Sequence, residues 1–86
     1  MGSLTDPVYL TDGRRHLICR PFSIEGLHRM AEDLGISRCW FHGGRRPHYD
    51  VPSRRRIEIE SRCERVTSRE IVAIIAEGFP PRFPPQ

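Results

Sequence analysis

Apolar and polar positions alternate, cluster and break along this chain in a way that marks one element after another. Val8-Tyr9-Leu10-Thr11 is β-prone and runs into Asp12-Gly13, a strong turn pair. After Arg14-Arg15, His16-Leu17-Ile18-Cys19 reads as a second strand, so the segment from Asp12 to Arg15 is suited to close a hairpin. Pro21-Phe22-Ser23 then opens a helix, with Ser23 as N-cap and Glu25 in the first turn. Ile24, Leu27, Met30, Ala31 and Leu34 form an apolar stripe at helical spacing, and Gly35 terminates it.

The second half is less regular. Arg38-Cys39-Trp40-Phe41-His42 reads as a short extended segment broken by Gly43-Gly44, and Tyr49-Asp50-Val51 as a brief strand. From Ser53 to Arg62 two patterns compete. Ile57 and Ile59 alternate with Glu58 and Glu60 as in a strand, whereas Pro52-Ser53 suits a helix start and Arg54/Glu58 and Arg56/Glu60 are i,i+4 charge pairs. Helix is preferred, because a crossover is needed before the next strand at Arg65-Val66-Thr67. Thr67-Ser68-Arg69-Glu70 is a capping box leading into Ile71, Val72, Ile74 and Ile75, and Gly78 ends that helix. Met1 to Pro7 reads as a short leader, and Phe79 to Gln86 as a Pro-rich flexible tail of polyproline character. The order β-β-α-β-β-α-β-α predicts an α/β fold: one small domain over residues 1–78, a mixed sheet with about three helices packed on it.

At 86 residues a single domain with a modest core is expected. Hydrophobic content of 37% and a mean hydropathy of -0.51 leave part of the chain solvated. No apolar run approaches the roughly 20 residues of a membrane helix. The N-terminus has no basic region followed by an apolar stretch. The expectation is a cytoplasmic protein with no membrane partner. All 14 basic residues are arginine, for a net charge of +3. Guanidinium forks match phosphate and carboxylate oxygens, but a GC-rich genome gives the same bias without selection for a ligand. Cys19, Cys39 and Cys63 fall in no Cys-x-x-Cys motif and read as free thiols in a reducing compartment.

Chemistry concentrates between Arg45 and Arg56. His48 and Asp50, two residues apart in an extended segment, project from one face between two groups of arginines. The candidate catalytic set is His48, Asp50 and Asp12, supported by His16 and His28. A divalent metal ion on Asp12, His48 and Asp50 would polarise a phosphoryl oxygen and activate water. Without metal, His48 would serve as a general base oriented by a carboxylate. Arg46, Arg54, Arg55, Arg56 and Arg69 form the candidate ligand-binding rim, Arg69 in a first helical turn that already favours anions. Tyr49 would stack on a base, making a nucleotide or nucleic acid the expected partner. The plainer alternative has Asp12 capping its turn, His28 flanking the helix core, and His48-Asp50 as a structural hydrogen bond amid a solvated basic surface. A second metal reading takes His16-x-x-Cys19 with Cys39-x-x-His42 as a zinc set, against the geometry of strands, where residues three apart face opposite ways.

Val8-Tyr9-Leu10-Thr11-Asp12, Leu27-His28 with Ala31 and Leu34-Gly35, His48-Tyr49-Asp50, and Val66-Thr67-Ser68-Arg69-Glu70 occur in an order and spacing that resembles a small bacterial and phage domain of unknown function. The resemblance spans roughly residues 8 to 76. It implies a shared fold and a shared site, not a reaction. Thr11 stands where those proteins tend to carry the first of two acids, which weakens a two-acid metal site here. Two functions follow as expectations. The first is a phosphate-ligand or nucleic-acid-associated domain, extending to metal-assisted phosphoester hydrolysis. The alternative, drawn from the phage context, is a non-enzymatic adaptor or inhibitor that binds a host protein through its arginines and Pro-rich tail.

Overall fold

A computed structural model describes residues 7–78; the tail at 79–86 and the leader ahead of Pro7 lie outside the described residues. Strand β1 (Val8–Thr11) pairs antiparallel with β2 (His16–Arg20), Leu10 opposite Ile18. Helix α1 (Ile24–Leu34), β3 (Phe41–His42), β4 (His48–Asp50), α2 (Arg56–Glu60), β5 (Glu64–Arg65) and α3 (Ser68–Gly78) follow in chain order. The sheet order is β3-β4-β2-β1-β5, with β1 and β5 parallel and the other neighbours antiparallel. The fold is the expected small α/β domain with a mixed sheet.

Local chemistry explains the boundaries. At the β1–β2 turn, Asp12 Oδ1 accepts from the backbone N–H groups of Arg14 and Arg15 at 2.9 and 3.2 Å. Gly13 takes a left-handed φ of 75°, and the Arg65 guanidinium occupies the space a side chain there would need. At the start of α1, the Gly26 N–H donates to Ser23 Oγ at 2.8 Å. At its end Gly35 adopts a left-handed φ of 71°, and Ile36 N–H returns to the Ala31 carbonyl at 2.7 Å. Leu27, Met30, Ala31 and Leu34 are buried, four of the five stripe positions, with Ile24 half-buried.

Two segments differ from expectation. Arg38–Trp40 is a 3-10 turn rather than a strand, because Ser37 Oγ caps it by accepting from Cys39 N–H at 3.3 Å; extension begins only at Phe41. The last strand ends at Arg65, since Thr67 is committed to α3: its N–H donates to Glu70 Oε1 at 2.9 Å and its Oγ1 accepts from Glu70 N–H at 3.0 Å. The ambiguous segment is helical, a 3-10 turn at Ser53–Arg55 leading into α2. A strand would have placed Ile57 and Ile59 on one face. Here Ile59 is fully buried and Ile57 is 87% exposed.

The sheet is covered on both faces. Alternation puts Leu17, Cys19 and Tyr49 on one face, beneath α1, where Gly26 lies against Cys19. Leu10 and Ile18 point to the other, where α3 brings Ile71 and Ile75 into the same core. Arg55 ties α2 to the end of α1 by donating to the carbonyls of Gly35 and Leu34 at 2.7 and 2.6 Å. No helix among the described residues is long and apolar enough to cross a membrane.

Leu27 is fully buried between α1 and the sheet. Leu27→Ala is expected to lower unfolding free energy by about 2–5 kcal/mol in denaturant titration. A loss below about 1 kcal/mol would take Leu27 out of the core.

Candidate functional site

Strand register assembles the site. His16 on β2 stands opposite Asp50 on β4, and His42 on β3 stands opposite His48 on β4. His48 and Asp50, two apart, share a face. Asp12 reaches the same face at the mouth of the hairpin, where its N–H donates to the His16 carbonyl. Three imidazoles and two carboxylates from four strand ends thus meet beside the first turn of α3. His48 is edge-to-face with His16, ring centroids 4.9 Å apart, and stacked on His42 at 5.1 Å.

Each imidazole has a defined partner. His16 Nδ1 lies 2.6 Å from Asp12 Oδ2, which also accepts from Ser68 Oγ at 2.8 Å. His48 Nδ1 lies 2.7 Å from the Arg46 carbonyl. A carbonyl only accepts, so His48 Nδ1 carries the hydrogen. Asp50 serves two rings: its Oδ2 is 2.9 Å from His42 Nε2 and its Oδ1 is 3.4 Å from His48 Nε2. The profile of the family described as "Protein of unknown function (DUF4031)" matches residues 6–78. The chain belongs to that family. No curated protein and no solved structure matches it significantly.

In this DUF4031 domain Asp12 is the most constrained group. Its side chain is wholly buried. Burial by itself would raise its pKa, but hydrogen bonds from His16, the Arg14 N–H and Ser68 more than reverse this and hold the carboxyl well below its ordinary range. It stays ionised and keeps the hydrogen on His16 Nδ1, leaving Nε2 free. The plain reading of Asp12 as a turn cap is therefore met in full, and the same carboxylate orients His16.

The sequence-derived candidates divide between the two faces. Asp12, His16, His48 and Asp50 come together. His28 and Tyr49 do not join them: Tyr49 is fully buried, its hydroxyl 2.7 Å from His28 Nδ1, with Phe41 against both rings under α1. The Tyr49 ring faces the core and cannot stack on a ligand. His42 entered sequence reasoning only as a zinc ligand. Its place beside His48 depends on the β3–β4 register, which no local pattern encodes. Cys19 is buried on the face opposite His16 and Cys39 is exposed, so the His16/Cys19/Cys39/His42 zinc set is not assembled, and all three cysteines are free. Burial pushes the Cys63 thiol up to about 11.

The arginines also separate. Arg55 pairs with Glu58 while holding the end of α1, and Arg56 pairs with Glu60 and donates to the Gly13 carbonyl. Arg14, Arg15, Arg45, Arg46, Arg54 and Arg69 are exposed and form no ion pair among the described residues. Among the described residues, no three His, Cys, Asp or Glu side chains are grouped to hold a metal ion. Of the proposed metal set, His48 and Asp50 are adjacent, while both Asp12 oxygens are occupied by protein donors.

Asp12 also sets acid stability. Its pKa is lowered in the folded chain relative to the ordinary 3.8, so its contribution is present above about pH 4 and is lost as pH falls below it. Asp12→Asn is expected to flatten the fall in melting temperature between pH 5 and pH 2. It should also destabilise the protein near neutrality by about 1–3 kcal/mol, through donors left unpaired. An acid limb unchanged in Asp12→Asn would assign that loss to other carboxylates.

Proposed function

We propose that this DUF4031 domain binds a phosphate-bearing ligand, a nucleotide or a nucleic acid strand, across the imidazole face and performs proton-transfer chemistry on its phosphoester. The observation that carries the reading is the contact among His16, His42, His48 and Asp50, partly open to solvent, beside exposed arginines that no carboxylate neutralises. Packed cores do not need three adjoining imidazoles at a surface. Proton transfer can use them, because imidazole serves as both proton donor and acceptor and each ring here is oriented through a second contact.

Arg14 and Arg15 flank His16 in the hairpin turn, and Arg45 and Arg46 precede His48. Guanidinium groups at both ends of the face would hold phosphate oxygens. Arg69, in the first turn of α3 next to Ser68, adds charge at a helix end that favours anions. In the version with a divalent ion, His48 and Asp50 would supply its protein ligands and the ion would polarise the phosphoryl oxygen. The non-enzymatic alternative, a host-protein adaptor, draws support from Ile57 and Trp40, large apolar side chains left at the surface.

Titration with a fluorescent oligonucleotide at two ionic strengths tests the reading. Binding is expected at low salt, with affinity falling steeply as salt rises. His48→Ala and Asp50→Ala should abolish turnover of a phosphodiester probe while leaving far-UV circular dichroism unchanged. Arg54→Ala should weaken binding without loss of stability, whereas Arg55→Ala should lower the melting temperature, because Arg55 anchors α1. Absence of binding at low salt would discard the phosphate reading in favour of a protein partner. Turnover that rises with added Mg²⁺ or Mn²⁺ would select the metal-assisted version.

A further inference from the structure

We infer that the imidazole face cleaves RNA by internal transphosphorylation, with His16 as base and His48 as acid. The inference rests on the phosphate-ligand reading and adds the substrate class and the route of the protons. His16 and His48 are held in different ways. The Asp12 carboxylate fixes the hydrogen of His16 on Nδ1, so Nε2 presents a lone pair, and the ionised carboxylate behind the ring stabilises the cation formed when that lone pair takes a proton. In His48 the Arg46 carbonyl also fixes the hydrogen on Nδ1, but Nε2 faces Asp50 Oδ1 at 3.4 Å. An imidazolium there stands at ion-pair distance from the carboxylate with no hydrogen bond formed between them, so its Nε2–H stays available to a leaving group. One ring thus presents its Nε2 lone pair with a carboxylate behind it, and its neighbour, with a centroid 4.9 Å away, turns Nε2 toward a second carboxylate.

A phosphodiester with an adjacent hydroxyl uses such a pair directly, and RNA carries that hydroxyl where DNA does not. His16 Nε2 takes the proton of the 2′-hydroxyl, and the 2′-oxygen forms a bond to phosphorus. The bond from phosphorus to the 5′-oxygen breaks, and that oxygen takes the proton from His48 Nε2. The products are a 2′,3′-cyclic phosphate and a 5′-hydroxyl. Nothing is oxidised or reduced, no water is consumed, and proton exchange with solvent restores the starting state. His42 shares the second oxygen of Asp50 and stacks on His48, which makes it a positioning residue for the acid. Arg14, Arg15 and Arg46 supply the charge for the non-bridging oxygens.

The test is a DNA oligonucleotide with one embedded ribonucleotide, incubated with the full chain in excess EDTA, beside all-deoxy and 2′-O-methyl versions. Cleavage is expected only at the ribonucleotide, leaving a 2′,3′-cyclic phosphate by mass. His16→Ala and His48→Ala should each be at least about 100-fold slower, with the melting temperature showing that both remain folded. The 2′-O-methyl strand removes the nucleophile without altering the protein, so the test stands even if a variant unfolds. Cutting of the all-deoxy or 2′-O-methyl strand, a 5′-phosphate product, or cleavage only with added divalent ion would overturn the inference. A ribonucleotide strand that is bound but left intact would overturn it alone; failure to bind any strand at low salt would remove the phosphate-ligand reading with it.

Discussion

Asp12 is the group on which both the fold and the site depend. One oxygen closes the β1–β2 hairpin by accepting from successive backbone N–H groups, and the other accepts from His16 and from Ser68 at the start of α3. The first strand, the second strand and the last helix are joined at one carboxylate. Burying an ion is unfavourable unless its lone pairs are met, and here they are met by the segments whose positions it fixes. The hairpin therefore cannot relax without disturbing His16, nor α3 shift without exposing the charge. A domain of this size, with a thin core, gains from letting one polar network serve structure and site together.

The register between β2 and β4 then decides the role of every aromatic and imidazole side chain. Tyr49 and His48 are neighbours in sequence, yet one is sealed under α1 and the other stands at the surface beside His42. His28 hydrogen-bonds a buried tyrosine, whereas His16 hydrogen-bonds a carboxylate and keeps one nitrogen free. A slip of one residue in β4 would bury the imidazole and the aspartate and expose the tyrosine, which the apolar floor of Leu17 and Cys19 forbids.

Much of this was legible in the residues. Ser23, Gly35 and the Thr67/Glu70 box announce their helix ends because each satisfies a local backbone demand, and local demands are written in adjacent residues. The β-prone runs Val8–Thr11 and His16–Cys19 on either side of Asp12-Gly13 marked the first two strands, and the order of elements pointed to a mixed sheet. The His48/Asp50 pair was visible for the same reason, a period of two within one strand. What escaped depends on contacts between distant segments. His42 joins the site through pairing of β3 with β4; Tyr49 and His28 leave it because α1 covers their face. The segment around Ile57 carried helical and strand signals at once, and only burial of Ile59 without Ile57 decides between them.

The arginine count illustrates the same limit at the level of composition. The run Arg54-Arg55-Arg56 looks like a single basic patch, but its members do different things. Arg55 completes the carbonyl end of α1, and Arg56 reaches the hairpin turn at Gly13 while pairing with Glu60. Arg62 bonds Asp33, which in turn accepts from Tyr9 at 2.6 Å; burial, then that bond, push the Tyr9 phenol up to about 12. These guanidiniums act as multi-pronged donors to backbone and carboxylate, a use that fixes geometry rather than charge. Arg14, Arg15, Arg45 and Arg46, which form no ion pair among the described residues, stand in the two turns that bracket the imidazole face. Codon supply can explain why every basic residue is arginine. It does not explain why four exposed arginines without carboxylate partners flank His16 and His48 in sequence, a placement that the proposed phosphate ligand, held between the two turns, would account for.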